Sequence, residues 1–148
     1  MQTVAILFIF LIGFQICKAE VQEWCSKEPL KNVFRVCSQK TGVGKAEIYR
    51  VIYFHPPQSF NEKCFRACSM IECQYYNVDG TLKHDTAHRV AKVLSAGDLF
   101  KYELVKRVVS HCLHTAPLHN NVCDTTEAFI QCFVTLSPVK VSLDRALP

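Results

Sequence analysis

Along most of the chain, apolar residues recur at three- and four-residue intervals, the mark of helices that bury one face. Ile48, Val51 and Ile52 stand at i, i+3 and i+4 within Gly44–Tyr53. That segment should stop at His55-Pro56-Pro57, because proline pushes the residue before it out of the helical region. Ala87, Val90, Ala91 and Leu94 share a face of His84–Ala96, with Gly97 as the expected C-cap. Asp98 then caps Leu99–His114, whose stripe runs through Tyr102, Val105, Val109 and Cys112. Two capping boxes, Ser59 to Glu62 and Asp124 to Glu127, open Phe60–Tyr75 and Thr125–Thr135. A first helix, Val21–Gln39, is interrupted at Pro29, which is predicted to kink or split it. Val78 to Thr81 reads as a turn, and no β-hairpin is indicated. The predicted fold is all-α, a compact bundle of about six helices in a single domain over residues 20–148. Its C-terminal tail, 136–148, is apolar-rich but broken by Pro138.

The first nineteen residues differ from the rest. MQTVAILFIFLIGFQ is almost unbroken apolar sequence, and Cys17-Lys18-Ala19 places small residues at the −3 and −1 positions of a cleavage site. This reads as a secretory signal peptide over residues 1–19. The apolar run of about fifteen residues is short of the roughly twenty a membrane-spanning helix needs. The expected location is therefore extracellular, without membrane insertion. Removing one Lys and no acid takes the charge from +4 to +3, too weak a balance to argue for nucleic acid. Within 83–107, six Lys and Arg face three acids, so that segment carries the whole excess. It reads as a solvated helical face, with a site for an anionic partner as the alternative.

Cleavage leaves eight of the nine cysteines: Cys25, Cys37, Cys64, Cys68, Cys73, Cys112, Cys123 and Cys132. An even number in an exported chain implies a disulfide framework, here of four bridges. On a helix Cys64 and Cys68 share a face with Cβ atoms about 5–6 Å apart, too far for the roughly 3.5–4.5 Å of a disulfide. They are expected to reach different partners, and Cys73, about 140° away around the helix, a third. A structural zinc site is disfavoured, since the one C-x3-C has no matching second knuckle. A redox C-x-x-C is absent. Spacing alone leaves 105 pairings open.

The run Cys37-x26-Cys64-x3-Cys68-x43-Cys112-x10-Cys123-x8-Cys132 resembles the six-cysteine pattern of the insect odorant-binding protein family. The resemblance spans roughly residues 25–136. It implies the pairs Cys37–Cys68, Cys64–Cys123 and Cys112–Cys132. Cys25 and Cys73, outside the six, are left to join each other. A straight first helix would set Cys25 about 18 Å from Cys37 while Cys73 lies about 7.5 Å beyond Cys68, so this bridge requires a bend, for which Pro29 offers a place. Extra cysteines also resemble those of salivary members of the superfamily.

The resemblance further implies a carrier that binds a small hydrophobic or amphipathic ligand in an internal apolar cavity. It implies no chemistry on that ligand and no cofactor or metal. The segment after the last cysteine is expected to fold back over the cavity. Disulfides worth about 2–4 kcal/mol each relieve the core of being the sole source of stability, which permits a hollow. The candidate lining is Ile48, Val51, Ile52, Phe60, Tyr76, Leu94, Tyr102, Val105, Val109, Phe129 and Phe133, with Val139 and Val141 from the tail. A Tyr hydroxyl or tail backbone is expected to orient a polar end. A membrane receptor is compatible with this reading, though no residue specifies one, and a monomer or weak dimer is expected. The alternative is a secreted salivary or body-fluid scavenger or inhibitor acting through the basic surface on an anionic partner.

His84 and His88, at i and i+4, resemble part of a zinc-protease motif, but Asp85 replaces its Glu and no third ligand is identifiable. Catalysis is not expected. The pair is instead a candidate pH switch, gaining charge below about pH 6 and loosening the cavity. The phosphate-loop likeness of Thr41 to Lys45 fails, because Gln39 stands where its first Gly is needed.

Overall fold

The computed structural model describes residues 25, 27–77, 80–138 and 143. Six helices follow one another: α1 (Lys27–Thr41), α2 (Lys45–Ile52), α3 (Phe60–Glu72), α4 (Thr86–Ser95), α5 (Leu99–Thr115) and α6 (Val122–Leu136). Among the described residues the extended structure is confined to a single bridge between Tyr76 and Leu82. It straddles a turn in which the Asn77 amide donates to the Thr81 carbonyl.

Local chemistry sets most boundaries. Because α1 opens at Lys27, Pro29 falls in its first turn, where a backbone amide lacks a helical partner anyway. Within the described residues the helix therefore runs past Pro29 without interruption, whereas 21–24 and 26 of the predicted Val21–Gln39 lie outside the described residues. Gly42 ends the helix with φ 73° and donates its amide to Ser38, the left-handed cap that glycine adopts without a Cβ penalty. Ser59 caps α3 by accepting from the Glu62 amide at 3.2 Å. This helix stops at Glu72, three residues short of the predicted Tyr75, because Gln74 turns left-handed at φ 58°. Arg89 donates to the carbonyls of Cys73 and Gln74, satisfying acceptors at that helix end.

Three other boundaries depart from the sequence reading. α4 begins at Thr86 rather than His84 and ends on Ala96, itself left-handed at φ 50°, one residue ahead of the expected Gly97. α6 begins a turn earlier than the predicted Asp124 box. Asn121 is its cap, accepting from the Asp124 amide at 2.8 Å. The carboxylates of Asp124 and Glu127 are thereby released to pair with Lys63 and Arg66 on α3.

Four disulfides brace the bundle. Cys37–Cys68 ties α1 to α3, Cys64–Cys123 ties α3 to α6, and Cys112–Cys132 ties α5 to α6. Cys64 and Cys68, one turn apart, thus run to opposite neighbours of α3. Cys25, ahead of α1 and left-handed at φ 69°, joins Cys73 with a Cα separation of 5.6 Å. Since Cys25 is not on the helix, the 18 Å expected of a straight helix does not arise.

The buried apolar residues form two clusters. One gathers Leu30, Phe34, Val51, Ile52 and Phe65 with Cys25 and Cys73. The other gathers Ala87, Ala91, Leu94, Val105, Val109, Phe129, Ile130 and Phe133. Met70, Leu82, Val90 and Leu143 pack against both. A cavity lies along that seam.

Candidate ligand cavity

A cavity of about 110 Å³ occupies the seam. Leu30 and Phe34 enter from α1, Val51 from α2, and Arg66, Ser69 and Met70 from α3. α4 supplies Val90, Val93 and Leu94, and α6 supplies Phe129, Ile130 and Phe133. Phe54, Tyr75, Leu143 and the Cys25–Cys73 bridge complete the wall. Phe54 stands in the left-handed region at φ 56°, unusual for a bulky residue. Its ring meets Phe133 edge-on at 5.9 Å. Leu143 is held over the end of α2 by its amide, which donates to Ile52 at 2.9 Å.

Arg66, the one charged wall residue among the described residues, is neutralised in place. Arg66 Nη1 donates to both Glu127 oxygens, at 2.8 and 3.1 Å, and Nη2 donates to the His55 carbonyl. The Ser69 hydroxyl donates to the Phe65 carbonyl at 2.9 Å. Burial pushes the Tyr75 hydroxyl up to about 12, against a smaller downward pull from Arg89. Arg89 sits over the Tyr75 ring at 4.7 Å. Burial likewise raises Tyr76, whose hydroxyl shares a hydrogen bond with Thr126.

Of the candidate lining, Val51, Leu94, Phe129 and Phe133 lie in the wall. The others lie elsewhere. Ile52 is buried in the first cluster with Ile48 packed against it, and Phe60 is exposed on the first turn of α3. Tyr76 points its hydroxyl at α6 through Thr126. Val105 and Val109 are wholly buried in the second cluster, outside the cavity wall. Tyr102 packs against that cluster and meets His88 at 2.6 Å. α5 therefore contributes nothing to the wall: its stripe is spent on filling the core and on the Cys112–Cys132 tie. Val139 and Val141 fall outside the described residues.

The expected histidine pair is also corrected. His84 stands exposed in the turn before α4, so it does not share a helical face with His88. His88 is exposed and bonded to Tyr102, and neither histidine belongs to the wall. Sequence reasoning missed Leu30 and Phe34, although their i, i+4 spacing marks them as a helical face. Phe54 gave no such signal, since its inward turn depends on a backbone conformation that no motif announces.

Among the described residues no group of three or more His, Cys, Asp and Glu is placed to hold a metal, and no helix is long and apolar enough to cross a membrane.

This fold and cysteine framework define a class of binding protein. The chain belongs to the PBP/GOBP family, the insect odorant-binding proteins, whose profile matches residues 21–135. Among solved structures it is similar to the odorant-binding protein dmelOBP28a from Drosophila melanogaster, with a TM-score of 0.64 and 24% identity over 73% of this chain and 88% of that one. No curated protein matches the sequence.

Proposed function

We propose that this protein is an exported carrier that holds a small apolar or amphipathic molecule in the cavity between its two apolar clusters and performs no chemistry on it. The observation that carries the reading is the wall itself. Side chains from five helices and the tail residue Leu143 converge on a cavity whose single charge among the described residues, Arg66, is already paired. Such concave, mostly apolar sites with few polar groups are what small-molecule recognition uses.

Every 100 Å² of apolar ligand surface buried contributes about 2.5 kcal/mol. Micromolar affinity, about 8 kcal/mol, thus calls for burial of a few hundred Å² before ordering costs are counted. Export is supported by the four disulfides, which persist in oxidising compartments. In this reading the apolar residues 1–19 are the removable leader.

Titration with N-phenylnaphthylamine tests the proposal. Saturable fluorescence enhancement, reversed by small apolar competitors, is expected. Lack of enhancement, together with retention on heparin at moderate salt, would favour the basic-surface alternative, whose binding weakens as salt screens it.

A further inference from the structure

The outer side of α5 carries apolar residues that the core does not use. Leu99 is 81% exposed and Phe100 is 74% exposed, at the corner where α4 gives way to α5. The whole corner, 96–100, is exposed, and the left-handed Ala96 and Gly97 make its turn sharp. Around the helix, Leu99 and Phe100 stand about 120° and 140° away from the wholly buried Val105. Leu104, one turn beyond Phe100, is half-buried and belongs to neither apolar cluster. Exposed apolar side chains are ordinary when scattered singly, but adjacent large ones at a corner form a patch.

The surrounding charge selects the partner. Between 92 and 107, Lys92, Lys101, Lys106 and Arg107 face Asp98 and Glu103, four cations against two acids, a net +2. The Asp98 carboxylate is engaged in capping α5, accepting from the Lys101 amide at 2.9 Å. Arg107 is exposed and stands about 160° from Val105, on the same outer side as the patch. A stable protein–protein interface takes about 800 Å² from each partner, far more than this patch supplies. A bilayer asks less: a small apolar wedge flanked by cations, lying in the headgroup region without spanning.

We propose that the α4–α5 corner docks on an anionic lipid bilayer. Leu99 and Phe100 enter the boundary between headgroups and acyl chains, and Lys101 and Arg107 face the lipid anions. The corner follows directly on the helix that supplies Val90, Val93 and Leu94 to the cavity wall. Docking therefore brings that wall close to an apolar phase.

The test is co-sedimentation with lipid vesicles of the protein purified from the medium of a secreting culture. Phosphatidylcholine vesicles containing about 30% phosphatidylserine should carry wild-type protein into the pellet, with binding about tenfold weaker on phosphatidylcholine alone. Added salt should weaken the anionic case. Leu99→Ser/Phe100→Ser, at two exposed positions, should keep the helical content by circular dichroism and bind the anionic vesicles about tenfold or more weakly. Leu118→Ser, which removes an equally exposed side chain from the α5–α6 connection, should bind as wild type does.

Equal pelleting of wild type and the double serine variant would overturn the inference. So would equal binding to neutral and anionic vesicles, or wild-type protein that stays in the supernatant. A wild-type dimer without lipid, lost in the double serine variant, would also overturn it by assigning the patch to a second copy of the chain. The carrier reading stands apart from all of these outcomes, because the fluorophore titration decides it.

Discussion

Arg66 on α3 and Glu127 on α6 form a two-pronged ion pair, with Nη1 2.8 Å from one carboxylate oxygen and 3.1 Å from the other. Both residues are buried, and Arg66 stands at the cavity wall. The pair neutralises the only charge there among the described residues and joins the two helices that the Cys64–Cys123 bridge also joins. Removing one partner strands the other. Glu127→Ala should therefore lower unfolding free energy by about 3–5 kcal/mol, whereas Arg66→Met with Glu127→Leu should cost far less. Urea denaturation of the single and double variants checks this, and equal losses would contradict it.

Acid stability follows from two carboxylates held below their usual values. Burial alone would raise Glu62, but hydrogen bonds from Arg50 at 2.5 Å and the Gln58 amide at 3.2 Å, with the Arg50 and Arg66 charges, outweigh it. Asp124 is lowered chiefly by Lys63 at 2.8 Å and by Asn121 at 2.7 Å. A folded value below the unfolded one stabilises above about pH 4 and is lost as pH falls through the folded value. Urea midpoints should drop steadily between pH 5 and pH 2. The drop should be shallower in a Glu62→Gln/Asp124→Asn variant, which should also start from a lower midpoint at neutral pH. An identical slope in both proteins would exclude these two groups as its source.

The Cys25–Cys73 bridge is both staple and wall. Replacing both cysteines by serine leaves three bridges, so the helical content should persist by circular dichroism. Stability should fall by about 2–4 kcal/mol. Fluorophore affinity should fall as well, because Cys25 and Leu30 line the cavity from the chain end that this bridge anchors. Unchanged affinity would place the ligand away from that wall.

The contrast between α4 and α5 is testable by shape. Leu94→Trp projects extra volume from α4 into the cavity and should weaken the fluorophore by about tenfold or more, equivalent to about 1.4 kcal/mol. Tyr102→Phe on α5 lies outside the wall and should leave affinity unaltered, while removing the contact to His88. The reverse ranking would relocate the site to α5.

The helical frame was legible because its signals are local. Ser59 and Asp98 announce caps that the structure forms, accepting from Glu62 and Lys101. Spacing such as Ile48, Val51 and Ile52 reports a buried face directly. Where competing chemistry existed, the local signal lost. Asp124 looked like a cap but pairs with Lys63, and Asn121 three residues earlier caps the helix instead.

The cavity was legible only in part, for a physical reason. An apolar stripe says that a face is buried but not whether it meets another side chain or a hollow. Val105 and Leu94 carry the same pattern, yet one fills the core and the other faces the cavity. That difference is set by how α4, α5 and α6 assemble. Phe54 depends on a left-handed backbone turn, and Leu143 on a single hydrogen bond to Ile52. Neither feature has a periodicity to read.

The central claim, a ligand held between the two apolar clusters, is tested most directly by methyl NMR during titration with a neutral medium-chain ketone. Saturable shifts concentrated at Met70, Val51, Val93, Leu94 and Leu143 are predicted, with Val134 and Leu136 unmoved. Shifts confined to exposed positions such as Leu99 and Leu118, with the methyl groups of the wall unchanged, would contradict the account.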